Sequence, residues 1–398
     1  MDSRDKTFIW SDGWWVEDSN AWFVCGMSNE LFYVDFNTGR CEEVTDIPDR
    51  GKSTYRLTQF CLKYDRDIFC IPGIGQSIWV FNLDDENFTQ LSIDKPEGLQ
   101  VASQFRIWED TLFIVLENWN RVMEVDIKQK KIKNYYTVCE GDNIRKSVFV
   151  DNYIYMVSSK NCGVYEFDLV TKKTRTYIFT EVEKKLSAIC FDGVKFWLSG
   201  YQKEVYIWEK ENNKFTTIDN FPSDFNMNDV GENIEDPKLP IFKYAVAVGG
   251  YIWFIPIRAD KIIYADKESG ALSAFEIYDE DETEESIALR QMWAIANYLL
   301  EYVKDDRYIG LFSAKSGRIF EIDAQELHYQ WKEYYLKDKY FFQRGGIYKE
   351  LYVEGIDDKL YKEAYHRQAS KRRKINNLYN NTTGKEIYRK TIEGEKQL

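Results

Sequence analysis

Residues able to do covalent or acid–base chemistry are few in this chain of 398 residues, and they are scattered. Only two histidines occur, His328 and His366. A Ser-His-Asp or Cys-His apparatus would have to use one of them as its base. Neither lies in a candidate loop, and His328, beside Tyr329 and Trp331, reads as an ordinary strand residue. The seven cysteines (Cys25, Cys41, Cys61, Cys70, Cys139, Cys162 and Cys190) are an odd number with no CxxC pair. That spacing suits neither a disulfide framework nor a zinc site, and reduced, mostly buried thiols are expected. No GxxxxGK[ST], GxGxxG or HExxH spacing occurs. Ile71-Pro72-Gly73-Ile74-Gly75 is glycine-rich but opens no helix, so it reads as a turn. Carboxylates are abundant, which leaves oxygen-ligand metal sites and paired-carboxylate catalysis open while making any one pair uninformative. No catalytic residue, metal ligand or cofactor is expected, and the balance leans away from an enzyme.

The elements that must carry these residues are strands. Aromatic residues make up 16% of the chain and prolines number only 7, which favours pleated, half-buried strands over extended linkers. The net charge of −13 argues against a nucleic-acid binder, which needs a basic stripe. The start of the chain lacks the apolar region of a secretory signal, and no window approaches the roughly 18 apolar residues of a membrane span. A cytoplasmic protein is expected.

One unit recurs along the chain. Its clearest copy runs Ser187-Ala188-Ile189-Cys190-Phe191, turns at Asp192-Gly193, and continues through Trp197 and Glu209 to Ile218. Second-strand aromatics fall at Trp22, Phe69, Phe113, Tyr155, Trp197, Trp253 and Tyr308. Third strands close on Asp35, Asn82, Asp126, Asp168, Glu209, Asp266 and Asp323. Both series advance by about 41 to 57 residues, as four-stranded blades do. A sheet apolar on both faces must be sandwiched by its neighbours, so copies stack around an axis. The expected fold is all-β, one seven-bladed propeller of four-stranded blades over 1–336, then a charged, helical extension over 337–398. The aromatics should fill wedges between blades, and the closing acids should cap the next turn through Asx-type hydrogen bonds.

The copies resemble Kelch repeats, of the Kelch and galactose-oxidase-like propeller class. Gly26, Gly73 and Gly200 each keep one glycine of the second-strand pair. Tyr165 and Tyr206 keep the third-strand tyrosine, Asp35, Asp126 and Asp168 keep the acid, and Trp331 keeps the fourth-strand tryptophan. The resemblance spans about residues 13 to 336 and implies the fold rather than an activity. It also implies that loops joining strands two to three, and blade to blade, share one face that binds partners. On that face the candidate binding residues are Arg56, Gln59, Gln104, Trp119, Arg121, Arg145, Tyr201, Arg258 and Arg290, with Lys146 and Gln291 nearby. Arginine, amide and aromatic groups around a concavity suit a carboxylate-bearing peptide or a glycan.

Two long connections, 220–243 and 278–292, stand out; the second carries the acidic block Asp279 to Glu285, read as a solvated segment. Lys371-Arg372-Arg373-Lys374 reads as a helix end. The segment Thr7-Phe8-Ile9-Trp10 is placed as an outer strand closing the last blade. The expected function is a non-enzymatic binding module for a peptide, protein or glycan, with unknown oligomeric state. The alternative is an enzyme acting on a carbohydrate or small polar molecule in the central funnel, through carboxylate, Tyr or Arg groups.

Overall fold

A computed structural model describes residues 11, 13–26, 29–48, 57–96, 99, 103–183, 185–227, 240–257, 259–278, 298–313, 319–332 and 334–336. They build seven antiparallel sheets, each a meander of four consecutive strands: blades 15–46, 58–92, 103–137, 144–178, 186–218, 242–275 and 298–332. The first strand of a blade packs on the first or second strand of its neighbour, so the first strands surround the axis. No helix occurs among the described residues, and none there is long and apolar enough to cross a membrane.

Local chemistry sets each hairpin. Asp18, Asp65, Glu109 and Asp151 open the first-to-second turns with φ between 46° and 54°. Three of them are aspartates, whose short polar side chain tolerates this left-handed region. The acids closing the third strands cap the next turn. Asp35 accepts from the Asn37 amide at 2.8 Å, Asp126 from Gln129 at 2.8 Å, Asp168 from Val170 at 2.8 Å, Asp266 from Ser269 at 2.7 Å and Asp323 from Gln325 at 3.0 Å. Asn82 does the same toward the Asp84 amide at 3.0 Å. Glu209, one methylene longer, instead accepts from the Asn212 side chain at 2.9 Å.

The core is divided into seven wedges, one between each pair of neighbouring blades. Trp22 packs into the wedge of blades 1 and 2, Phe69 into that of 2 and 3, Phe113 into 3 and 4, and Tyr155 into 4 and 5. Trp197 fills the wedge of blades 5 and 6, and Trp253 that of 6 and 7. Tyr308 departs from this series. It pairs with Asp323, as Asn20 pairs with Asp35, so it sits two positions before the wedge residue. That position is Gly310, and the Tyr302 ring from the neighbouring strand occupies the space a Cβ there would take. Tyr302 is 3% exposed, and its hydroxyl donates to Glu321 at 3.0 Å.

Lysines latch successive blades on the turn face opposite the second-to-third loops. Lys130 of blade 3 reaches Asp67 of blade 2 at 2.8 Å. Lys172 of blade 4 lies 4.3 Å from the centroid of the Phe113 ring in blade 3. Lys210 of blade 5 binds both Glu166, at 2.6 Å, and the Tyr155 hydroxyl, at 2.7 Å, in blade 4.

The expected clasp, Thr7 to Trp10, lies outside the described residues, among which the last blade has four strands. At the seam Tyr335–Leu336 adds a fifth, parallel strand to the outer edge of blade 1, opposite Arg40 and Cys41. On the inner side the Trp14 amide donates to the Glu301 carbonyl at 2.5 Å, and the Ser11 hydroxyl donates to the Glu301 carboxylate. Both ends of the described chain therefore hold the seam between blades 7 and 1. The expected tail helices, the acidic block and the basic cluster all lie outside the described residues.

Candidate functional site at the channel mouth

Five of the seven first strands carry a β-bulge, and the extra residue is polar each time. The pairing slips at Gln59 in Thr58–Tyr64, at Arg145 and Lys146 in Ile144–Val150, and at Ser187 in Leu186–Phe191. It slips again at Lys243 in Phe242–Val248 and at Glu301 in Tyr298–Lys304. A bulge re-aims a side chain that the two-residue alternation would otherwise assign to a sheet face. Four of the five lie at the second position of the strand, next to the blade-to-blade loops. The sequence mark is one polar residue interrupting an otherwise apolar entry strand.

First strands of blades 2, 3, 4, 6 and 7, together with Gly13 and Trp14, line an open cavity of about 270 Å³ at the ring axis. Gln104, Lys146, Tyr244 and Glu301 supply its polar wall; Phe60, Phe105 and Phe149 supply apolar surface. The Gln104 carbonyl accepts from the Ser147 hydroxyl at 3.1 Å, joining blades 3 and 4. Lys146 donates to Glu117 at 2.8 Å and lies 5.1 Å from the Tyr244 ring centroid. Lys243 approaches the same ring at 5.0 Å. Glu117 is only 1% exposed. Its burial pushes the carboxyl above its ordinary value, against the attraction of Lys146, Lys243 and Arg145.

Two cation–aromatic pairs lie on the loop face outside this cavity. The Arg121 guanidinium sits 4.5 Å from the Trp119 ring centroid and 5.7 Å from that of Tyr135. Arg145 donates to the Tyr201 hydroxyl at 2.8 Å, bridging blades 4 and 5. The loops that carry such groups are held firmly. Asp142, 4% exposed, accepts from the Tyr165 hydroxyl at 2.7 Å, the Ser159 hydroxyl at 2.9 Å and the Asn161 side chain at 3.1 Å.

Of the candidate binding residues, Trp119 with Arg121 and Arg145 with Tyr201 come together as pairs. Gln104 lines the cavity, and Gln59 is 5% exposed, with no partner for its carbonyl oxygen among the described residues. Arg56, Arg258, Arg290 and Gln291 lie outside the described residues. Sequence reasoning missed Trp14, Glu117, Lys243, Tyr244 and Glu301. Only Lys243 and Glu301 left a mark, as the polar interruption of an apolar strand.

No protein-family model and no curated sequence matches this chain. Among solved structures it is similar to a streptogramin B lyase, at 12% identity and TM-score 0.54, over 79% of this chain and 93% of that one. It is similar to a chain in a mitotic checkpoint complex at 9% identity and TM-score 0.53, over 82% and 87%. A computationally designed protein, Ika8, aligns at 9% identity and TM-score 0.52, over 84% and 90%. At these identities the likenesses show a shared propeller fold and nothing finer.

Proposed function

We propose that this protein is a Kelch-type binding propeller that receives a peptide, protein or glycan on its loop face, around the channel mouth. The observation that carries the reading is the pair of arginine–aromatic contacts, Arg121 on Trp119 and Arg145 on Tyr201, held by neighbouring blades beside a polar concavity. Arginine and aromatic side chains anchor interfaces because they bury large area while offering directional donors. The Kelch subclass is supported by Tyr165 and Tyr206, third-strand tyrosines whose hydroxyls bind loop-face residues Asp142 and Gln202. It is supported also by Gly200, where an added Cβ would strike the Lys185 carbonyl oxygen. No disulfide joins the cysteines among the described residues, which suits a reducing compartment such as the cytoplasm.

The enzyme alternative draws less support. Paired-carboxylate catalysis needs two converging acids, and the described cavity wall offers one, Glu301, already accepting from Ser11.

The test is a peptide and glycan array read with the wild-type protein, with Arg121→Ala plus Arg145→Ala, and with Lys128→Ala on the opposite face. Retained hits should weaken more than about tenfold in the double variant and persist in Lys128→Ala. Hits indifferent to the arginines, or an array without hits, would refute the reading.

A further inference from the structure

We propose that Asp142 is the positioning residue of the loop face: it holds the Arg121 and Arg145 anchors at one spacing and so selects a ligand long enough to touch both. This role rests on the loop-face reading. Asp142 lies in the connection between the last strand of blade 3, Lys131–Thr137, and the first of blade 4, Ile144–Val150. The chain turns there through Gly141 at φ 69°, which glycine adopts without strain, and Asp142 is 4% exposed. Its Oδ1 accepts from the Asn143 amide at 2.6 Å, the Ser159 hydroxyl at 2.9 Å and the Lys160 amide at 3.1 Å. Its Oδ2 accepts from the Ser158 hydroxyl, the Tyr165 hydroxyl at 2.7 Å and the Asn161 side chain at 3.1 Å. None of these donors is a cation. Burial opposes the charge, but the Ser158 and Tyr165 hydroxyls and the Asn143 amide outweigh it and hold the carboxyl below its ordinary value. A buried carboxylate bonded this fully is rigid, and it acts on the chain around it rather than on a ligand.

What Asp142 holds is the junction of the two anchors. Ser158, Ser159, Lys160 and Asn161 form the second-to-third loop of blade 4, and the Ser159 amide adds a bond to the Asn143 carbonyl at 2.8 Å. Two residues beyond Asp142, Ile144 grips the corresponding loop of blade 3. Its carbonyl accepts from the Asn118 amide at 2.7 Å, and its amide donates to the Trp119 carbonyl at 2.8 Å. Trp119 carries the Arg121 guanidinium on its ring. Arg145, next after Ile144, is fixed by the Tyr201 hydroxyl of blade 5. Asp142 therefore ties blades 3 and 4 together where both arginines are hung. Two anchors held at a set spacing bind a spanning ligand better than two that move separately, because the ordering precedes binding.

The test compares Asp142→Asn, which keeps the size but sets an amide N–H against a donor, with Lys210→Met, a latch variant on the opposite face. Arginine side-chain NMR on the full chain needs no partner. The Nε–H signals of Arg121 and Arg145 should both shift in Asp142→Asn and stay in place in Lys210→Met. Ser159→Ala, which removes one donor, should shift them the same way by less, and takes over the test if Asp142→Asn does not fold. In the arrays, hits that need both arginines should weaken about fivefold in Asp142→Asn. The same substitution should add nothing once Arg121→Ala and Arg145→Ala are both present. An arginine signal that stays in place in both loop variants, signals that move as much in Lys210→Met, or a fivefold loss that persists without the arginines would overturn the proposal. An array without hits refutes the loop-face reading, whereas the arginine signals judge the positioning on their own.

Discussion

Asp35 and Asp266 show how a single side chain sets a blade turn, and their chemistry has a measurable signature. The Thr38 hydroxyl and Asn37 amide hold the Asp35 carboxyl below its ordinary 3.8. The Ser269 amide and hydroxyl do the same for Asp266. Because the folded value lies below the unfolded one, each cap contributes stability above the ordinary carboxylate value. That contribution is lost as pH falls through the depressed folded value. Asn82 already fills the equivalent place in blade 2 with an amide oxygen. The variant Asp35→Asn with Asp266→Asn should therefore melt like wild type at neutral pH. It should lose less stability than wild type between about pH 4 and pH 2, as followed by thermal melts across that range. An unchanged acid limb would show that these caps do not titrate as described. This role was legible in the sequence because a turn cap is local: acceptor and donors lie within three residues. Tyr308 was misplaced for the opposite reason. An aromatic in the right strand gives no sign that Tyr302 already fills the space over Gly310.

Between blades, the energetic contrast lies in where each lysine ends. Lys210 joins a Glu166 side chain that is only 7% exposed, whereas Lys128 meets Asp110 with side-chain exposures of 63% and 61%. Lys210→Met should cost about 2 kcal/mol, since it leaves a buried carboxylate with fewer donors. Lys128→Met should cost at most about 0.5 kcal/mol, the usual worth of an exposed pair. Denaturant titration of both variants checks the difference, and equal losses would contradict the latch. Neither latches nor bulges were readable beforehand. A latch couples residues a whole blade apart. A bulge breaks the period-two rule by which strands are recognised, so Arg145, Lys146 and Lys243 look in sequence like strand residues of the wrong polarity. What was legible was their neighbourhood: the blade-to-blade entries were placed on the loop face, and Gln104, Arg145 and Tyr201 were picked out there.

As a whole, the molecule depends on every wedge being filled and on the ring meeting itself. Trp197, fully buried between blades 5 and 6, should cost about 3–5 kcal/mol when replaced by alanine. Gly310→Ala should cost about 1–3 kcal/mol by driving a methyl group into the Tyr302 ring. Calorimetric melts of the two variants check both figures. The seven-blade count followed from periodicity, since two-faced apolar sheets admit few other arrangements. The closure did not, because two residues added in parallel at Tyr335–Leu336 have no pattern of their own. Closure also decides whether there is a site: Trp14, Gln104, Lys146 and Glu301 come from blades 1, 3, 4 and 7 and share a wall only in a closed ring. Native-state hydrogen exchange across the seam measures this directly. Amides of Asn20–Val24 and Tyr298–Lys304 should exchange only through global unfolding, at the same free energy as those of Tyr153–Ser158 and Leu186–Phe191. Seam strands that open at a much lower free energy than blades 4 and 5 would contradict a closed ring, and with it the axial cavity.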